Sequence, residues 1–67
     1  MANSCYIGMP IEEFLQKGKN MVELSGLDSD TGITKYRANN YDVWSGDYEY
    51  STYFYFKDGK LVKIGTE

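Results

Sequence analysis

The side chains able to do chemistry in this chain are few, and their types narrow its function early. The sequence contains no histidine, so the commonest general base and metal ligand is missing. Its one cysteine, Cys5, would need a lowered pKa to act as a nucleophile, and neither histidine nor a cationic cluster stands near it to lower one. The expectation is a small buried or incidental thiol, with nucleophile or lipid attachment site as the alternatives. Asp28, Ser29, Asp30, Thr31 and Gly32 imitate the start of a calcium loop. The bidentate Glu that should close the loop is absent, because position 39 is Asn39. A solvated turn is the better account of that stretch. No catalytic residue, metal site or cofactor is expected, and the chain is not expected to be an enzyme.

The remaining candidates are aromatic. One Trp, seven Tyr and three Phe make up 16% of the chain, and Tyr41, Trp44, Tyr48, Tyr50, Tyr53 and Tyr55 fall close together. They either complete a small core and its rim, or form an exposed patch of the kind in which Trp and Tyr supply binding hot spots. Trp44, Tyr53, Tyr55 and Lys63 are the candidate partner-binding residues. Aromatic stripes on sheets also stack nucleic-acid bases, but the charges interleaved here in sequence are Asp42, Asp47 and Glu49. The net charge of −3 further opposes counterion-driven binding to phosphate backbones. The expected partner is therefore a protein and not a nucleic acid, with a second copy of this chain as a further candidate.

These residues need a scaffold. A chain of 67 residues has room for one domain, 1–67, which buries only about 60% of its unfolded surface and so needs large side chains in its core. With one cysteine no intrachain disulfide can form, so packing must hold the fold. No apolar run approaches the roughly 20 residues of a membrane-spanning helix. Met-Ala-Asn-Ser-Cys lacks signal-peptide features; a periplasmic or outer-membrane location follows if a leader was removed, a cytoplasmic one if Met1 is native.

Met9 to Gly18 predicts one short helix, with Pro10 at its first position, Glu12 and Glu13 in the first turn, Lys17 in the last and Gly18 ending it. Ile11, Phe14 and Leu15 would share its apolar face. A helix this short needs a larger body to rest on. Strands are predicted at Met21–Ser25, Ile33–Ala38, Tyr41–Ser45, Tyr48–Lys57 and Lys60–Gly65, separated by turn signals at Gly26 to Gly32, Asn39-Asn40, Ser45-Gly46-Asp47 and Asp58-Gly59. The fold class is α+β: a short N-terminal helix packed on one face of an antiparallel β-meander of three to five strands.

The last hairpin admits two alignments. A two-residue Asp58-Gly59 turn pairs Phe56 with Leu61 and groups Tyr53, Tyr55, Val62 and Ile64. A three-residue turn, with Gly59 as a left-handed bulge, pairs Phe56 with Lys60 and groups Thr52, Phe54, Val62 and Ile64. The second is favoured because it buries phenylalanines and sends Tyr53 and Tyr55, with Lys63, to the other face.

Ile7-Gly8-Met9 leading into a helix with Glu13 and Leu15, an aromatic segment with Trp44, and Phe54-Tyr55-Phe56-Lys57-Asp58-Gly59-Lys60-Leu61-Val62-Lys63-Ile64 together resemble the SmpA/OmlA (BamE) family and the similarly built β-lactamase inhibitor protein repeats. Pro10 stands where that family's pattern has Ser or Thr. The resemblance implies helices on one side of a small antiparallel sheet and protein binding without catalysis, in outer-membrane assembly or in inhibition of an enzyme. The two functional expectations are a BamE-like interaction module and a small acidic inhibitor, encoded for example by a phage or mobile element, that blocks a host enzyme.

Overall fold

A turn of left-handed backbone sets the register of the molecule's last hairpin. In the computed structural model, which describes residues 5–18 and 21–66, Asp58 and Gly59 have φ of 53° and 77°. Two consecutive left-handed residues form the type of two-residue turn that Asp-Gly favours, because its twist matches that of the flanking strands. It joins β3 (Tyr48–Lys57) to β4 (Lys60–Thr66). Lys57 pairs with Lys60 and Phe56 with Leu61; the register then shifts, and Tyr55 pairs with Lys63 and Phe54 with Ile64. Val62 is thus the residue left over in a β-bulge.

This corrects both alignments considered above. The pairing beside the turn is that of the two-residue turn, and the bulge changes it one step later. Leu61 and Ile64, three apart, therefore face the same side. The favoured pairing of Phe56 with Lys60 does not occur. Leu61 is 0% exposed and Val62 45%, the reverse of the burial expected for them.

The other strands, β1 (Glu23–Asp28) and β2 (Ile33–Tyr41), complete an antiparallel sheet in the order β1-β2-β3-β4. The short connections leave antiparallel neighbours as the only economical pairing. β1 starts later than Met21 and carries Gly26 within it, so the turn signal there is confined to residues 29–32. In that turn Asp28 Oδ1 accepts the backbone N–H of Asp30 at 2.9 Å and the Gly32 N–H reaches the Asp28 carbonyl at 2.8 Å. Asn39 and Asn40 make no turn either. They sit within β2, where the Asn40 amide donates to Thr52 Oγ1 across the sheet at 3.0 Å, a bond that offsets the low strand propensity of Asn.

The expected strand Tyr41–Ser45 is likewise absent beyond Tyr41. Asp42 Oδ1 accepts the N–H groups of Trp44 at 2.7 Å and Ser45 at 3.0 Å, an Asx turn that competes with the strand ladder and wins. Residues 42–47 form the hairpin loop between β2 and β3.

The helix α1 (Ile11–Gly18) begins after Pro10, whose carbonyl accepts the first helical N–H, from Phe14, at 3.1 Å. Pro10 is the N-cap residue, one position earlier than expected. The segment before the helix is tied to β4: Gly8 N–H donates to the Leu61 carbonyl at 2.7 Å, and Leu61 N–H to the Met9 carbonyl at 2.9 Å. Met9, Phe14, Ala38, Phe54, Phe56 and Leu61 are the buried core, with Cys5, Ile11, Val22, Tyr36 and Ile64 packed at its margin. The ring of Phe14 lies 4.8 Å from those of Phe54 and Phe56 and 5.6 Å from Tyr36, in tilted geometries that aromatic pairs favour. Leu15, expected on the same face, is 40% exposed. Among the described residues no helix is long and apolar enough to cross a membrane.

Candidate functional site

Strand alternation divides the rings of β3. Phe54 and Phe56 face Phe14, so Tyr53 and Tyr55 must face the other way, where both are half-buried. The neighbouring strands decide what surrounds them. Tyr55 is flanked by Lys35 of β2 and Lys63 of β4, and Tyr53 by Arg37 and Gly65.

The resulting cluster is cationic. Lys35 Nζ stands 4.1 Å from the ring centroid of Tyr53 and 5.7 Å from that of Tyr55, and Lys63 Nζ stands 5.3 Å from that of Tyr55. At these distances the ring quadrupole attracts the ammonium. Gly65 lies beside the Tyr55 ring, where even a Cβ would make only ordinary contact, at 3.7 Å. Arg37 pairs with Glu23 of β1, and that hydrogen bond, helped by the attraction of the two charges, raises the already high pKa of the guanidinium. Through the register, Lys57 and Lys60 extend the same face. Five of the chain's seven Lys and Arg residues therefore share one side of an acidic protein.

This placement corrects the charge pattern inferred from sequence neighbours. Asp42 and Asp47 belong to the hairpin loop, and the charges beside Tyr53 and Tyr55 are Lys35, Lys63 and Arg37, brought in by pairing from other strands. Acidic groups limit the patch along β1, where Glu23 lies opposite Arg37 and Asp28 opposite Ile33.

At the other end of the face the polar groups close on themselves. Ser51 Oγ donates to Asn39 Oδ1 at 2.8 Å, and Asn39 Nδ2 donates to the Tyr41 hydroxyl at 3.4 Å. Since Ser51 has one proton and spends it on Asn39, Tyr48 must be the donor in its 2.7 Å contact with Ser51. The Tyr41 and Tyr48 rings meet edge-on at 6.2 Å. A hydrogen-bonded chain through Ser51 and Asn39 thus connects the hydroxyls of Tyr48 and Tyr41.

Of the four residues singled out from the sequence, Tyr53, Tyr55 and Lys63 stand together and Trp44 does not join them. Trp44 sits in the 42–47 loop, 94% exposed, beside Val43 at 90%. Lys35 and Arg37 were missed; the signal that finds them is their pairing opposite Tyr55 and Tyr53, which the strand spans alone do not fix. Cys5 lies away from this face at the margin of the core, where burial pushes its thiol pKa up despite nearby positive charge. Among the described residues no group of three or more His, Cys, Asp or Glu is placed to hold a metal ion.

No protein-family model matches the chain, and neither a curated protein nor a solved structure is recognisably similar to it. The likeness to the SmpA/OmlA (BamE) family therefore rests on the motifs quoted above.

Proposed function

We propose that this chain is a noncatalytic protein-interaction module of α+β architecture, akin to a BamE-like envelope-assembly domain, whose contact surface is the tyrosine-bearing face of the sheet. The observation that carries this reading is the bracing of Tyr53 and Tyr55 by Lys35 and Lys63 on the face opposite Phe54 and Phe56. The ring contacts of Phe14 support a helix packed on one side only, which leaves the tyrosine side for a partner. Rigid rings with polar tips give contact area at low entropic cost. The absence of histidine and the raised Cys5 thiol support the noncatalytic part.

The test is a Tyr53→Ser/Tyr55→Ser double variant, compared with wild type for folding and for capture of partner protein. A folded variant that loses capture by about 2 kcal/mol or more is the expected result. Gross destabilisation would make the tyrosines structural, and unchanged capture would move the contact surface elsewhere.

One observation favours the inhibitor as a second reading. Val43 and Trp44 project from a hairpin tip that Asp42 holds in one conformation, and a preorganised aromatic tip suits insertion into a cleft. Loss of capture by Trp44→Ala, with the tyrosine variant unaffected, would select this reading.

A further inference from the structure

We infer that the tyrosine face receives an acidic segment of a partner protein, whose carboxylates pair with Lys35 and Lys63 while one apolar side chain enters the groove beside Tyr55. The inference rests on the interaction-module reading and adds the chemistry of the partner. Three observations carry it.

The first is charge. The face gathers Lys35, Arg37, Lys57, Lys60 and Lys63 on a molecule of net charge −3. Such a segregation attracts a negative group to one side and repels it from the rest.

The second is the way the rings are presented. Lys35 lies over Tyr53 and Lys63 over Tyr55, so the ring surfaces are capped by ammonium groups. A flat nucleobase would have to displace those groups to stack, whereas a carboxylate meets them where they stand. A phosphate strand would also have to pass Glu23 and Asp28 along the β1 edge. A peptide with a few suitably spaced carboxylates need not.

The third is shape. Gly26 lies opposite Lys35, and a Cβ built on it meets nothing within 4 Å. Gly26 lines a groove of about 380 Å³ together with Leu27, Asp28, Thr31, Ile33, Lys35 and Tyr55. An apolar floor beside a lysine fits an apolar residue next to an acidic one.

The experiment is selection from a random peptide library of about ten residues, matched to the ten residues of β3, with an oligothymidine of similar length as the nucleic-acid probe. Selected peptides should carry Asp or Glu next to an apolar residue and should bind less tightly as salt is raised. Lys35→Glu/Lys63→Glu should weaken them on the order of tenfold, and so should Gly26→Val, whose Cβ has open space at that position and whose γ-methyls would occupy the groove. Circular dichroism and thermal melting check that both variants are folded, and the salt series on wild type stands without them. Enrichment of neutral or basic peptides that still depend on Tyr53 and Tyr55 would overturn the acidic partner and leave the module reading standing. Tighter binding of oligothymidine than of any peptide, or no tyrosine-dependent enrichment at all, would overturn both.

Discussion

Phe56 of β3 faces Leu61 of β4 across the Asp58-Gly59 turn, and both are shut off from solvent while the next residue, Val62, is bulged outward. Leu61→Asp would place an unpaired carboxylate against Phe56 and Met9. It should cost about 3 kcal/mol or more, enough to unfold most of so small a domain. Val62→Asp should cost no more than about 1 kcal/mol. Urea titration of the two variants checks the order, and damage concentrated at Val62 would reject the bulged register.

The spacing of Leu61, Val62 and Ile64 held a clue to that bulge. Two adjacent apolar residues followed by a third, three after the first, cannot all fit a period of two. Strict alternation from Leu61 onward would have put Leu61 and Ile64 on opposite faces. The turn itself was legible, since Asp-Gly between apolar runs is a strong hairpin signal, and so was the division of β3 into inward phenylalanines and outward tyrosines. The hairpin loop was less so, because Tyr41, Val43 and Trp44 have high strand propensity, which the hydrogen bonds to Asp42 from Trp44, Ser45 and Gly46 override. The cations of the candidate site were hidden for a different reason: Lys35 and Arg37 are distant in sequence from Tyr53 and Tyr55, and only the β2–β3 register makes them neighbours.

Phe14 touches Phe54, Phe56 and Tyr36 and is fully buried. Phe14→Ala should cost about 3 to 5 kcal/mol, close to all the stability available to a domain of this size. The variant should lack a cooperative thermal transition near that of wild type. Leu15→Ala, at an exposed position one residue on, should melt within a few degrees of wild type. If the two lose comparable stability, the helix is rotated from the orientation described.

Gly59 adopts a φ of 77°, where an L-residue with a Cβ is strained by roughly 1 to 2 kcal/mol. A Cβ at Gly59 has open space around it, so the expected loss in Gly59→Ala comes from backbone conformation alone. Gly26→Ala provides the control: it too has open space, but without the left-handed φ, and its loss should be smaller. Equal losses measured by denaturant titration would remove the backbone explanation.

Asp42 accepts hydrogen bonds from the N–H groups of Ser45 and Trp44, which hold its carboxyl below the usual carboxylate range. A group lowered in this way contributes order that is present above its unfolded pKa, about 3.9, and lost as pH falls through the lower folded value. Trp44 is the sole tryptophan and sits within the turn that Asp42 caps, so its fluorescence anisotropy reports the loop directly. The wild-type signal should hold as pH is lowered to about 3.9 and fall below that point. Asp42→Asn keeps an acceptor oxygen but does not titrate, so its profile should lack this step. Asp42→Ala removes the acceptor and should give low anisotropy at every pH. A step of the same size and position in Asp42→Asn would show that another group controls the loop.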